Sequence, residues 1–229
     1  MTEIVLIRHG QASFGTDDYD RLSELGVSQS QRLREYLTEM EIGFDAVYSG
    51  PHRRQLETAR HGSPGEVEVV VHEGFAEYRA EPLFDRYLPL LLEADPEFAP
   101  VAEKMRSDRR AFQLTLERVL AAWCAEDDPP AGIDPWHAFR DRVVRGLTDL
   151  IENHRGRQRV AVFSSAGAIG CAVGYALGMS LFDGLKLSYA LYNTAICRLN
   201  YGRSGWSLNL FNGLAHLEQP RYRHLITFR

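Results

Sequence analysis

The sequence predicts an α/β protein: a three-layer α/β/α arrangement around a mostly parallel central sheet, with a helical insertion. Short apolar runs, typical of buried strands, alternate along the chain with segments of helical periodicity. The chain has 229 residues, enough to bury one large core. Its composition, 45% hydrophobic and 25% charged, is typical of a soluble globular protein.

The first half of the chain carries three of these apolar runs. Strands are predicted at Ile4–Ile7, Ala46–Tyr48 and Val67–Val71. Between the first two, Leu33, Tyr36, Leu37 and Met40 have the spacing of one apolar helical face. After the second, Pro51 is expected in the first turn of a helix that continues through Ala59.

Residues 81–155 have a helical pattern. Two apolar stripes, Phe112–Trp123 and Trp136–Ile151, are separated by the helix breaker Asp127–Pro130. We therefore predict a single domain over residues 1–229 with a helical insertion at about 81–133. The insertion is acidic and apolar, and two interpretations stay open: it covers the mouth of a site and selects substrate, or it makes a homodimer contact.

The last part of the chain returns to strands. Val160–Phe163 reads as a buried strand that leads through Ser164–Gly167 into a helix of small residues ending near Leu177. Two alternating segments, 197–201 and 206–210, are joined by Gly202–Gly205 and predict a terminal hairpin.

Charge and cysteine content narrow the function classes. The net charge is −5, so no overall positive field attracts nucleic acid or anionic lipid, and neither is expected as a partner. The three cysteines have no metal-ligand spacing and are odd in number, which argues against a zinc site or a disulfide framework. The apolar run near the N-terminus is too short for a signal peptide or a membrane span. We expect a cytoplasmic protein without metal or cofactor.

In mostly parallel sheets, ligands bind beyond the carboxyl ends of the strands. Three segments follow predicted strand ends: Arg8–Gly10, Ser49–Arg54 and Ser164–Gly167. The guanidinium of Arg8 suits phosphate oxygens, and the imidazole of His9 is a nucleophile usable at neutral pH. Gly10 would let the backbone turn closely around an anion. The alternative is a structural arginine and histidine at a strand end.

A second phosphate-binding side chain is expected in the segment after the second strand. Arg54 falls in the first turn of the predicted helix, where the helix N-terminus itself favours anions. The alternative is that Arg53 and Arg54 form a solvated basic turn.

These segments resemble the histidine phosphatase superfamily, the phosphoglycerate mutase-like proteins. Leu6–Gln11 is similar to the family's first signature, and Leu22–Gly26 to its Leu-Thr-x-x-Gly element. Tyr48–Ala59 is similar to its Ser-Pro-Leu-x-Arg-Ala-x-Gln-Thr-Ala block, with Arg54 at the arginine, although Gly50 and His52 replace the block's serine and leucine. Trp206–Leu217 also looks like the phosphatase branch. The resemblance covers the chain apart from the insertion.

The resemblance implies a metal-independent phosphoryl transfer from a small phosphorylated substrate. His9 would become a phosphohistidine, Glu77 would protonate the leaving oxygen, and Arg8 and Arg54 would hold the phosphate. Phosphoryl transfer depends chiefly on positioning and on spreading charge over donors, which two arginines can supply. Glu73 and Glu81 are the competing carboxylates. Glu77 is preferred because Phe75–Glu77 lies where the family carries its acid, in a Leu-x-Glu context.

Two departures from the family pattern concern the site. Ser165 stands where the resemblance places a second catalytic histidine. Its hydroxyl is expected to bind phosphate by donating one hydrogen bond to a phosphate oxygen, but it brings no positive charge, a difference on the order of 1–2 kcal/mol or about tenfold in rate or more. Gly15 stands where the family has an asparagine. His52, His154 and His216 are candidates to substitute for the missing histidine, although each is more commonly a surface or packing residue.

Four functions therefore remain. A phosphoric monoester hydrolase is preferred. A phospho-ligand-binding or regulatory protein without activity and a phosphomutase share its fold. A serine hydrolase built on Phe163–Gly167 is disfavoured, because a phenylalanine occupies the first glycine position of the nucleophile elbow and the arginines are left unexplained.

Overall fold

The structure is a computed structural model that describes residues 1–13, 20–156 and 158–228. A six-stranded sheet forms its centre. The strands are β1 (Thr2–Arg8), β2 (Ala46–Ser49), β3 (Val69–Val71), β4 (Arg159–Ser164), β5 (Ile196–Gly202) and β6 (Gly205–Gly213). Their order across the sheet is β3-β2-β4-β1-β5-β6. The first four are parallel, and the terminal hairpin adds β5 and β6 antiparallel.

Helices occupy most of the remaining chain. The α-helices are α1 (Glu24–Glu39), α2 (Arg53–Gly62), α3 (Ala80–Ala94), α4 (Ala99–Glu103), α5 (Arg109–Ala125), α6 (Trp136–Asn153), α7 (Ala166–Ala176) and α8 (Leu181–Leu187). Short 3-10 turns are found at Glu73–Phe75, Pro96–Phe98, Lys104–Arg106, Ser188–Ala190 and Pro220–Leu225. The predicted α/β class with a mostly parallel sheet is confirmed.

Two predicted boundaries were wrong. The third strand begins at Val69 instead of Val67, so only its last three residues pair with β2. The helix predicted around Pro51 begins at Arg53, because His52 keeps an extended backbone and caps it. The Gln55 side chain accepts a hydrogen bond from the His52 amide, so a capping box fixes this helix start.

The central strands β1 and β4 are buried on both faces, as is typical of a parallel sheet. On one face α1 and α2 cover a core cluster formed by Val5, Ile7, Leu33, Leu37, Val47, Ala59, Ala161, Phe163 and Ile196. Side chains of a strand alternate between faces, so Ile4 and Leu6 point the other way, and both are buried as well. Helix α7 contacts β1, β5 and β6.

The chain divides into two compact units. One comprises Met1–Glu77 and Arg140–Arg229 and contains the whole sheet. The other, Tyr78–Phe139, is helical and has its own core, in which Tyr78, Trp123, Trp136 and Phe139 pack as an aromatic cluster. That this segment is an insertion within one domain stays a prediction. No helix in the described part of the chain is long and apolar enough to cross a membrane.

Candidate active site

The ends of three parallel strands are brought to one level by the sheet register. Arg8 of β1 pairs with Ser164 of β4, and Ser49 of β2 pairs with Phe163. The His9 amide donates to the Ser164 carbonyl at 2.9 Å. The three segments that the sequence singled out therefore leave the sheet side by side, although they are far apart in the chain.

His9 is buried, and its ring has a defined proton arrangement. Nδ1 lies 2.7 Å from the Gly10 carbonyl oxygen, which can only accept a hydrogen bond. On the other side of the ring, Nε of Arg54 donates to Nε2 at 3.2 Å. The neutral ring therefore carries its proton on Nδ1 and leaves the lone pair on Nε2.

The surroundings of His9 keep this ring neutral. Burial lowers the pKa of His9 well below 6.5, and the positive charges of Arg54 and Arg8 lower it further. A neutral imidazole with a fixed tautomer is the form in which histidine acts as a nucleophile.

The backbone that carries His9 is held on both sides. Thr58 of α2 accepts a hydrogen bond from the Gly10 amide at 3.0 Å, and Asn193 donates to the His9 carbonyl at 3.1 Å. A Cβ atom on Gly10 would lie 2.5 Å from the carbonyl oxygen of Gly26. Gly10 is thus required for a close approach of this loop to α1, a reason that the sequence alone did not indicate.

Arg54 is the central cation of the site, and the prediction that it lies in the first turn of a helix is correct. Its guanidinium is buried, and its contacts include three side chains of the described residues. Besides His9, Nη1 donates to Asp20 Oδ1 at 2.5 Å, and Nη2 donates to Ser165 Oγ at the long distance of 3.5 Å. This is an ordered, multiply contacted arginine and not a solvated basic turn.

Arg8 is buried directly beside His9, and its charge reaches that ring. Nη1 of Arg8 donates to the carbonyl oxygens of Leu191 and Phe228, the latter at 3.0 Å. Part of this guanidinium therefore ties the strand end to the C-terminal segment. That Arg8 also binds phosphate stays a prediction.

Ser165 lies at the N-cap position of α7 and is 1% exposed. Its Oγ accepts a hydrogen bond from Nε2 of Gln55 at 2.7 Å, in addition to the long contact with Arg54. Both partners are donors, so neither can act as the base that a serine nucleophile needs. This geometry gives no support to the serine hydrolase interpretation.

Glu77 reaches the start of the same helix. Its Oε2 accepts from the Gly167 amide at 2.8 Å, two residues beyond Ser165. Arg142 of α6 holds the preceding segment, because its Nη1 donates to the carbonyl oxygens of Glu73 and Ala76. Glu73 itself is exposed, and Glu81 belongs to the other compact unit. Of the three carboxylates, Glu77 is the one that the structure places at the start of α7.

The three histidines named as substitutes for the missing one have different positions. His52 lies at the site, with Nδ1 3.9 Å from Asp20, and burial and the charge of Arg54 lower its pKa. His154 bonds to the Tyr48 hydroxyl, and its carbonyl accepts from Thr2, at the opposite end of β1 from His9.

His216 lies beside Thr194, whose amide donates to the His9 carbonyl at 3.4 Å. It is buried, and its Nε2 lies 2.9 Å from Thr194 Oγ1. Burial lowers its pKa to about 3. Of the three, only His52 contacts the groups around Arg54. Gly15, the other noted departure, lies outside the described residues.

Sequence reasoning missed two residues that shape the site. Asp20 holds Arg54 and also accepts from the Arg53 amide at 2.9 Å. It lies in a loop without periodicity, so no local pattern indicates it. Gln55 donates a hydrogen bond to Ser165. The sequence contained a signal for this residue, because the similar family block has alanine at the position of Gln55.

Taken together, the groups form a buried neutral imidazole in contact with a guanidinium that also reaches the hydroxyl of Ser165. A carboxylate lies at the start of the helix that follows this serine. Such an arrangement can hold an anion next to a nucleophilic nitrogen, with a carboxylate available for proton transfer.

Comparison with protein families identifies the chain by sequence. The model of the histidine phosphatase superfamily (branch 1) matches residues 4–108 and 103–213. Among individual curated proteins, no sequence matches significantly.

Solved structures of phosphatases share the fold. Phosphoserine phosphatase from Entamoeba histolytica is 23% identical with a TM-score of 0.65, covering 95% of this chain and 100% of that one. Mycobacterial glucosyl-3-phosphoglycerate phosphatase is 19% identical with a TM-score of 0.65, covering 94% and 99%. The alpha-ribazole phosphatase of Shigella flexneri is 18% identical with a TM-score of 0.62, covering 92% and 96%.

Proposed function

Because the chain belongs to the histidine phosphatase superfamily, branch 1, we propose that it is a phosphoric monoester hydrolase acting through a phosphohistidine on His9. The observation that carries the proposal is the proton arrangement of His9. Its Nδ1 proton is held by the Gly10 carbonyl, so the lone pair of Nε2 faces the buried guanidinium of Arg54.

The first step transfers the phosphoryl group to the protein. The Nε2 lone pair of His9 forms a bond to phosphorus while the bond from phosphorus to the leaving oxygen breaks. The electron pair of that bond stays with the leaving oxygen, which takes a proton from the carboxyl group of Glu77. Arg54 exchanges its hydrogen bond to Nε2 for one to a phosphate oxygen, and Arg8 adds positive charge.

The second step restores the protein. A water oxygen attacks phosphorus and passes a proton to the Glu77 carboxylate. The bond between phosphorus and Nε2 of His9 breaks, its electron pair returns to the nitrogen, and inorganic phosphate leaves. The hydrogen bond from Nδ1 to the Gly10 carbonyl supports the ring in both steps, because it stabilises positive charge on the phosphorylated imidazole.

The proposed substrate is a small phosphorylated molecule, and the reaction uses no metal ion. The solved structures of similar fold include proteins named as phosphatases of phosphoserine, glucosyl-3-phosphoglycerate and alpha-ribazole phosphate, whose substrates are phosphate esters of different alcohols. The roles proposed for the site residues concern only the phosphoryl group. They support the type of reaction and do not identify the alcohol that carries the phosphate.

Turnover of p-nitrophenyl phosphate by the native protein and by His9→Ala tests the proposal. We expect His9→Ala to lower kcat by about 10³-fold or more, since a covalent nucleophile is removed. Mass spectrometry after rapid acid-free quenching should detect a phosphorylated peptide containing His9 in the native protein only. His224→Ala, at an exposed histidine, is the matched control and should keep full activity. A chelator should leave the rate unchanged.

Equal and negligible rates for the native protein and His9→Ala would overturn the hydrolase proposal and favour the phospho-ligand-binding alternative. The phosphomutase alternative is tested with the same phosphorylated protein. Release of inorganic phosphate into water supports hydrolysis, whereas transfer of the label only to an added alcohol acceptor contradicts it.

A further inference from the structure

Gln55 is an unusual side chain for a phosphate site, because it is uncharged, completely buried and fully engaged. Its Oε1 accepts from the His52 amide at 3.2 Å. Its Nε2 donates to the Phe75 carbonyl at 3.3 Å and to Ser165 Oγ at 2.7 Å. With both ends of the amide occupied, the group cannot turn over without losing contacts.

The neighbours of Ser165 determine what its hydroxyl can do. A hydroxyl has two acceptor positions and one proton. Gln55 and, at longer range, Arg54 direct their own hydrogens at Oγ and use its acceptor positions. The side chain makes no capping bond to the start of α7. Within the described residues, the hydroxyl proton of Ser165 has no acceptor, so it is available to a ligand.

This available proton belongs to the same cluster as the nucleophile. The guanidinium of Arg54 contacts Nε2 of His9 through Nε and Oγ of Ser165 through Nη2. One planar group therefore spans the attacking nitrogen and the hydroxyl. A phosphoryl group bound between His9 and Arg54 comes within reach of both.

The absence of a side chain at Gly50 leaves space for the side-chain amide of Gln55. A Cβ atom on Gly50 would lie 2.2 Å from Oε1 of Gln55 and 2.4 Å from the Phe75 carbonyl oxygen. Any larger residue at position 50 would displace the amide that holds Ser165. Gly50, Gln55 and Ser165 are thus mutually dependent.

We propose that Gln55 is a positioning residue that fixes Ser165 as a neutral hydrogen-bond donor to the transferring phosphoryl group. The inference rests on the proposed function of the site and adds a specific role for two residues. It has a chemical consequence: a hydroxyl donor does not titrate between pH 5.5 and 8.5, so this contact to phosphate is made without uptake of a proton. A histidine at the same place would gain and lose its charge in that range.

The experiment measures binding of inorganic phosphate by calorimetry and turnover of p-nitrophenyl phosphate, from pH 5.5 to 8.5. Ser165→Ala removes the donor and should weaken phosphate binding and lower kcat, each by about tenfold. The ratio of its phosphate Kd to that of the native protein should be constant with pH, because ionisation of phosphate cancels in the ratio.

Gln55→Glu keeps the shape of the side chain but replaces the donor to Ser165 by an oxygen. The Ser165 hydroxyl then donates to that carboxylate, and its proton is withdrawn from the phosphate. We expect phosphate binding and kcat to fall at least as much as they do in Ser165→Ala. In the Ser165→Ala variant, Gln55→Glu should weaken phosphate binding and lower kcat by less than it does in the native protein, because the hydroxyl that it would engage is already absent. Gln31→Glu, exposed on α1, controls for the added charge.

Gln55→Ala provides a second variant without added charge, and thermal unfolding shows whether each variant is folded. Fully additive effects of the Gln55 and Ser165 substitutions would overturn the inference, as would a Kd ratio that changes with pH. The proposed function fails separately, if the native protein shows no turnover that depends on His9. Phosphate binding still tests the coupling of Gln55 and Ser165 in that case.

Discussion

The two sides of the candidate site hold an anion by different means. On the side of β1 and α2, buried guanidinium groups of Arg8 and Arg54 surround the neutral ring of His9. On the side of β4 and α7, Ser165 is uncharged and is held by the neutral Gln55, which reaches across from α2. Glu77, at the start of α7, is an acid. Stabilisation of negative charge is therefore concentrated on the first side, while the second side supplies orientation and a proton.

The start of α7 illustrates the difference. A helix N-terminus favours anions, so the amides at the start of α7 are suited to binding a negatively charged group. In the structure, the Gly167 amide is occupied by the carboxylate of Glu77 at 2.8 Å. At least one amide of this helix end thus positions the proposed acid.

Of the substitutions that test this comparison, Arg54→Ala should have the largest effect on kcat/KM. Arg54→Ala should lower kcat/KM by about 10²–10³-fold, because it removes a preorganised charged donor from a buried site. Ser165→Ala should cost only about tenfold on the other side. Steady-state kinetics with p-nitrophenyl phosphate measure both. Arg60→Ala, exposed on the same helix, is the control. Equal losses for Arg54→Ala and Ser165→Ala would show that the two sides contribute alike.

Glu77→Gln tests whether the second side supplies the proton. The amide oxygen can still accept from the Gly167 amide, so the fold of this segment should be kept. We expect a loss of about 10²-fold on an alkyl phosphate, and a smaller one on p-nitrophenyl phosphate, whose leaving group needs little protonation. Glu73→Gln, at an exposed carboxylate, should have no effect. A loss independent of the leaving group would contradict the role of Glu77 as acid.

The smallest expected effect is that of pH on the free energy of unfolding, and it should involve His9 on the first side and not Ser165 on the second. The folded-state pKa of His9 lies well below 6.5, so below that pH the unfolded chain binds a proton that the folded chain does not. The stability from this residue is complete above about pH 6.5 and is lost as the pH falls, by up to about 1.4 kcal/mol per pH unit. His216, with a pKa of about 3, has the same sign.

Urea unfolding at pH 7.5, 6.0 and 5.0 measures this dependence. His9→Asn should flatten the fall in the free energy of unfolding, whereas Ser165→Ala should leave its slope unchanged, because a serine does not titrate in this range. The slope that remains in His9→Asn includes the contribution of His216. Identical slopes for the native protein and His9→Asn would show that His9 is not kept neutral by its surroundings.

The sequence by itself determined the fold class, all six strands and the three segments that follow strand ends. These features depend on local information: apolar runs of strand length, helical periodicity and turn residues. Even the positions of His9 and Arg54 followed from local order, because His9 comes directly after β1 and Arg54 lies in the first turn of the helix that follows β2. The exact start of α2 did not, since it depends on the side chain of Gln55 reaching back to the His52 amide.

Only the tertiary structure decided how the site residues are connected. Gln55 and Ser165 are 110 residues apart in the chain, and Glu77 and Gly167 are 90 apart. Their contacts exist because β1, β2 and β4 align in register, and no local pattern specifies that alignment. The tautomer of His9, the engagement of Arg54 by Asp20 and the direction of the Ser165 hydroxyl all follow from it, since each is set by neighbours that the fold brings together.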